Sequence, residues 1–167
     1  WAQSQLDALK ASTSKLISND AIDLSLLITD NYALDTIVEP MALFSAADLH
    51  ILRNEFDSAW VKMDSILAVW PGHALEDEIL FRKSEIALLS GDVDTAMTFL
   101  QEIVDLHFDD ILGDDALFEL ARLQEEHYVD LETAASFYER LLFEYPGSLH
   151  AVEARRRFRL LRGDDLN

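Results

Sequence analysis

Five histidines and thirty-two carboxylates are the residues through which this chain of 167 amino acids could do chemistry, since it has no cysteine. Without thiols there is no disulfide framework, thiolate zinc site or cysteine nucleophile. His50, His73, His107, His127 and His150 occur singly, and none enters the His-Glu-x-x-His spacing that puts two metal ligands on one helical face. Glu125-Glu126-His127, and Asp109-Asp110 with Asp114-Asp115, have the charge to attract a divalent cation. Both lack the alternating oxygen ligands and turn glycine of a calcium loop. So many carboxylates allow an acid and base pair suited to glycoside cleavage, which keeps an α/α carboxylate enzyme as a minor alternative. Solvated helix faces account for them more simply. No glycine-rich phosphate loop and no Gly-x-Ser-x-Gly elbow is present, so the expectation is no catalysis, no cofactor and no metal.

Thirteen basic against thirty-two acidic residues give a net charge of −19. Such a field repels phosphate backbones and anionic lipid, so neither nucleic acid nor membrane insertion is expected. Lysine falls to four residues while aspartate reaches nineteen. That bias suits high ionic strength, and the melting temperature is expected to rise from low to molar salt. Half the residues are apolar, enough for a packed core in a chain of about one domain's length.

The apolar residues recur with helical period: Ile79, Leu80, Ser84, Ala87 and Leu88 form one stripe, and Ala96, Leu100, Ile103 and Val104 another. These stripes also repeat along the chain. Ala59, Ala96 and Ala134 are separated by 37 and 38 residues, while Phe44, Phe81 and Phe118, like Ala47, Ser84 and Ala121, recur every 37. Pro71-Gly72, Phe108-Asp109 and Pro146-Gly147 separate units, and turns near Asn54, Gly91 and Tyr128 divide each unit into a helix A and a helix B. Small residues midway along A allow B to approach closely. In the third unit Ala134 follows Ala121 by 13 positions, where Ala59 follows Ala47 and Ala96 follows Ser84 by 12, which predicts one extra residue in its A–B turn.

These positions resemble the tetratricopeptide repeat family. The match runs through Ala47, Ala59, Met63, Ile66 and Pro71, then Ser84, Ala96, Leu100 and Ile103, then Ala121, Ala134, Tyr138, Leu141 and Pro146. Phe108 replaces the closing proline of the second unit, and the period exceeds the usual one, as in variant repeats of bacterial envelope assembly proteins. The resemblance implies an all-α fold, a right-handed superhelical array of antiparallel helix pairs. It also implies a bacterial cell-envelope location, periplasmic, with a cytoplasmic scaffold as the alternative. Three pairs and a capping helix are expected over residues 40–162, preceded over 1–39 by a partial repeat, an extra helix over 21–28 capped by Asn19-Asp20, and a loop over 30–39. Residues 163–167 form a tail.

In such an array the A helices line a concave groove. The i, i+4, i+7 spacing places Phe44, Asp48 and Ile51, then Phe81, Glu85 and Leu88, then Phe118, Arg122 and Glu125 on that face. Apolar side chains edged by carboxylates suit a basic or amphipathic peptide or protein partner, the alternative for the phenylalanines being core packing. The Lys and Asn clamp by which some family members hold a C-terminal carboxylate is absent from these positions. The sequence thus points to a protein-interaction scaffold, the C-terminal part of a longer chain. The competing reading is a module that only stacks or self-associates, through Trp1, Leu6 and Leu9. Arg155, Arg156, Arg157, Arg159 and Arg162 concentrate on the last helix, where they complement its dipole, with Glu153 and Arg157 as an i, i+4 pair, or else dock an acidic neighbour or the chain's own next module.

Overall fold

In the computed structural model, residues 2–11, 15–32 and 37–164 are described, and among them every regular element is helical. The chain divides into two compact units, Trp1–Leu75 and Glu76–Asn167.

The first unit holds two helix pairs. α1 (Ala2–Lys10) packs on α2 (Lys15–Tyr32), and α3 (Glu39–Leu52) packs on α4 (Phe56–Val69). Ala21 and Ser25 of α2 are buried, and Gln3 donates to the Ser25 hydroxyl. The extra helix is therefore longer than the span 21–28, and Asn19 and Asp20 lie inside it instead of capping it. Both are exposed there, and an exposed Asn or Asp inside a helix costs only a few tenths of a kcal/mol, ~0.7 at most. The start of the expected loop, residues 30–32, is likewise helical. Leu6 is buried as a pairing residue; Trp1 lies outside the described residues.

The second unit continues with α5 (Glu76–Leu89), α6 (Val93–Leu106), α7 (Gly113–Leu123), a π-helical turn Gln124–Tyr128, α8 (Leu131–Glu144) and α9 (Ala151–Leu161), each helix packed on the next. A helices begin at Glu39, Glu76, Gly113 and Ala151, and B helices at Phe56, Val93 and Leu131, so every start recurs after 37 or 38 residues. One side-chain pattern explains the pairing. At i, i+4 and i+7 of the B helices stand Ala59, Met63 and Ile66, then Ala96, Leu100 and Ile103, then Ala134, Tyr138 and Leu141, all with 0% exposure. Opposite them Ala47, Ser84 and Ala121 are buried too. Each large aliphatic or aromatic side chain so placed contributes roughly 1.5–3 kcal/mol of burial, and the alanines let the helix axes close up.

The turns repeat as closely as the helices. Trp70, His107 and Tyr145 end the B helices with φ of −126°, −128° and −123°, and their N–H groups donate to Ile66, Ile103 and Leu141. His73, Asp110 and Ser148 then donate back to the carbonyls of Trp70, His107 and Tyr145 at 3.2, 3.1 and 3.0 Å. Phe108 thus adopts the turn that proline takes in the other units, because the bonds flanking it are the same. Within the pairs, Asn54, Gly91 and Val129 take left-handed φ of 58°, 79° and 57°. Asp92 and Asp130 then cap α6 and α8 by accepting from Thr95 and Thr133.

The extra residue of the third unit is not in the A–B turn. The left-handed residues and the caps keep the spacing of the helices, so the addition lies upstream, at the end of the A helix. Glu55 donates to His50 and Asp92 to Ala87, each reaching back five residues, whereas Asp130 reaches six, to Gln124. One added residue in a finished helix is absorbed as a wide turn when the residues on both sides are pinned by packing.

Candidate functional site

The nine residues of the expected inner face divide by burial. In the first unit Phe44 is 1% exposed, whereas Asp48 and Ile51 are half-buried. In the second, Phe118 is 9% exposed, while Phe81, Glu85, Leu88, Arg122 and Glu125 are half-buried. Phe44 and Phe118 are therefore core side chains, and their part of the ladder is helix packing. Phe81 and Leu88 border the core that holds Phe118 and are only half-buried.

On α5 the guanidinium of Arg82 donates to Glu85 at 2.8 Å across one turn. Phe81, Glu85 and Leu88 follow one another at i, i+4 and i+7, so an apolar side chain stands on either side of a paired carboxylate.

On α7 the corresponding positions are occupied from within. Phe118 stacks on the His150 ring at 4.3 Å between centroids and 10° between planes, and tilts against Tyr138 at 5.9 Å. His150 Nε2 lies 2.6 Å from Asp115, and that bond raises the imidazole pKa above its ordinary value. Arg122 donates to Glu119 at 2.6 Å and to Glu126 at 2.9 Å. Glu125 accepts from the Tyr138 hydroxyl at 2.8 Å and from Arg157 at 3.0 Å. Burial first, and then Glu125, push the Tyr138 hydroxyl far up.

Arg157 is the residue this network turns on. It reaches Glu126 at 2.8 Å, Glu125 at 3.0 Å and its own helix's Glu153 at 2.9 Å. Burial alone would lower its pKa, but the three carboxylates outweigh it and hold the guanidinium charged. In turn Glu126, which burial would raise, is held below the usual carboxylate range by Arg157 and Arg122. The π-helical turn explains the geometry: by widening the end of α7 it presents two consecutive glutamates to one arginine of α9.

Sequence reasoning missed three buried charged residues on α5. Asp77 is 1% exposed, Glu78 6% and Lys83 5%. Burial pushes the Asp77 carboxyl up, and its Oδ2 has no hydrogen-bond partner. The Lys83 ammonium lies 5.5 Å from the centre of the Phe99 ring. The signal was available in the repeat itself, since Lys83 stands where the other A helices carry Ala46, Leu120 and Phe158. Among the described residues, no three or more His, Asp or Glu side chains gather as a metal site.

A family model of the tetratricopeptide repeat matches residues 115–148, from the first turn of α7 through the π-helical turn and α8 to the loop before α9. The chain carries a tetratricopeptide repeat. Ala121, Ala134, Tyr138, Leu141 and Pro146 of that repeat are the residues on which the family resemblance of the third unit rests, and the first four are fully buried. No curated protein matches the chain. Repeats of this kind point to protein partners.

Proposed function

We propose that the chain is a non-catalytic interaction scaffold, and that the surface of α5 formed by Phe81, Glu85 and Leu88 holds a peptide or protein segment bearing apolar and basic side chains. The observation that carries this reading is the contrast between two faces of α5. Leu80 and Ser84 are buried in the repeat packing, while the neighbouring trio is only half-buried, with a carboxylate at its centre. A preformed helical surface binds without ordering itself first, which lowers the cost of association. Arg122 and Glu125 enter this reading as the polar border on α7; Asp48 and Ile51 lie on α3 of the other unit and stay outside it. The bacterial cell-envelope location, periplasmic rather than cytoplasmic, belongs to the same reading and rests on the likeness of the repeat period to envelope assembly repeats.

Selection of peptides from a displayed library on the intact protein tests it. Selected peptides should be basic and apolar and should lose binding to Glu85→Lys combined with Leu88→Asp, two half-buried positions. The helical circular dichroism of the variant must match the parent's, because Leu88 borders the core. Peptides that bind this double variant as well as the parent would remove α5 from the site.

A second reading is favoured by α2, where Ile17 and Leu24 on one side are 46% and 48% exposed and Ile22 and Leu26 on the opposite side are 39% and 47% exposed. Apolar side chains left open on both sides of a helix suit stacking against another repeat or self-association. Sedimentation showing a concentration-dependent dimer that Leu24→Glu with Leu26→Glu dissolves would favour it.

A further inference from the structure

The last helix has two faces of opposite character. Ala151 and Ala154 are buried, and Phe158 and Leu161 pack half-buried on the core that α9 shares with α8. Facing away, Val152, Arg155, Arg156 and Arg159 stand at i, i+3, i+4 and i+7, and all four are exposed. That spacing makes one continuous stripe.

The repeat gives the stripe its meaning. α9 begins 38 residues after α7, so Arg155, Arg156 and Arg159 occupy the places of Leu117, Phe118 and Ala121. In α7 those three residues lie 0%, 9% and 0% exposed in the core joined by α8. Arg159 falls at the small-residue position, filled by Ala47, Ser84 and Ala121 in the other A helices. A guanidinium there prevents the close approach that an alanine permits. Apolar side chains laid over three arginines would strip water from their charges without replacing it. The surface against which each A helix receives an apolar B helix is, on α9, built to receive a charged one.

We infer that the Val152, Arg155, Arg156 and Arg159 stripe docks an acidic helix of a protein partner, which lies beside α9 where a B helix lies beside the other A helices. Charge complementarity selects this occupant. Arg155 enters no ion pair among the described residues, Arg156 is tied to Glu153 of its own helix, and Arg159 approaches Asp164 at 3.6 Å. Exposed pairs of this kind are weak and exchange readily for better ones. Carboxylates at i, i+3, i+4 and i+7 of an approaching helix would meet the guanidinium forks in the geometry they favour, with an apolar side chain over Val152, which is 78% exposed. The net charge of −19 does not forbid the contact, because screening over about 8 Å at physiological salt leaves the local stripe in command. That same charge disfavours nucleic acid and anionic lipid as occupants. The stripe is separate from the α5 surface and does not depend on it.

The test is fluorescence anisotropy of a labelled helical peptide carrying glutamates at i, i+3, i+4 and i+7 with interspersed leucines, titrated with the intact protein. Saturable binding is expected, weakened about tenfold by Arg155→Glu with Arg159→Glu and less by the two alanine replacements. A lysine-bearing peptide of the same pattern should not bind, and the melting curve should stay in place because neither arginine supports the core. Binding of α5-selected peptides should be unchanged in these variants, which separates the two surfaces. Absence of saturable binding, or equal binding by the charge-reversed variant, overturns the inference. So does sedimentation in which the parent dimerises and the variant does not, which would assign the stripe to a second copy, or equal affinity for phosphatidylserine vesicles.

Discussion

Val129 takes φ 57° and ψ 28°, the left-handed conformation that β-branched residues adopt at the greatest cost. Its register partners are Asn54 and Gly91 at φ 58° and 79°, residue types that tolerate this region. The conformation costs an ordinary side chain about 1–2 kcal/mol, whereas glycine escapes it and gives up about 0.5–1 kcal/mol in unfolded-chain entropy. Val129 is 68% exposed, so little packing is lost with its side chain. Val129→Gly should therefore stabilise the protein by about 1 kcal/mol, a rise of roughly 2–4 °C in Tm for a chain of this size. Gly91→Val makes the reciprocal change at a site where an added Cβ meets nothing within 4 Å, and should destabilise by a similar amount. Thermal and urea unfolding followed by far-UV circular dichroism read both. A lower Tm for Val129→Gly, or a neutral Gly91→Val, would refute the equivalence of the turns and with it the placement of the extra residue in the helix end.

Further outcomes follow from other contacts. Gly113→Ala would bring a Cβ to 2.6 Å from both the Phe108 carbonyl and the Tyr145 hydroxyl, so it should cost about 1–3 kcal/mol in urea unfolding. Acid should loosen α9. Arg156 and Arg157 hold the Glu153 carboxyl at about 2 against 4.5, and Glu126 is lowered too, so their contribution is complete above about 4.5 and fades towards pH 2. Glu153→Gln with Glu126→Gln should flatten that limb of the Tm profile, and an unchanged slope would show that these pairs add nothing. His150 acts oppositely: its raised pKa stabilises below 6.5 and the effect is lost as pH climbs through the raised value, a loss His150→Gln should remove. A chain with a net charge of −19 should gain Tm from low to molar salt, and an unchanged or lower Tm would reject adaptation to high ionic strength.

The helix pairs were legible because their positions are set by volume. Ala59, Ala96 and Ala134 can be found by spacing, and all are fully buried, since two helices at contact distance accept only a small residue there. The inner face was only partly legible. Phe44, Phe81 and Phe118 share one register, but exposure depends on what lies above each ring, and His150 from the α9 loop covers Phe118. No local pattern announces that cover, because His150 and Asp115 meet across 35 residues. The π-helical turn escaped for a related reason: a count of residues between alanines shows that one has been added, but the helix-end bond from Asp130 to Gln124 shows where. Arg157 looked like one of five helix-end cations, and only the widened turn makes it the partner of Glu125 and Glu126.

The claim that α5 presents a binding surface on a repeat scaffold is tested most directly by amide chemical-shift mapping of a library-selected peptide on the isotopically labelled protein. Shifts centred on Phe81, Glu85 and Leu88, with smaller ones at Arg122 and Glu125, are the expected result. Shifts that leave α5 unmoved while the same peptide still binds would contradict it.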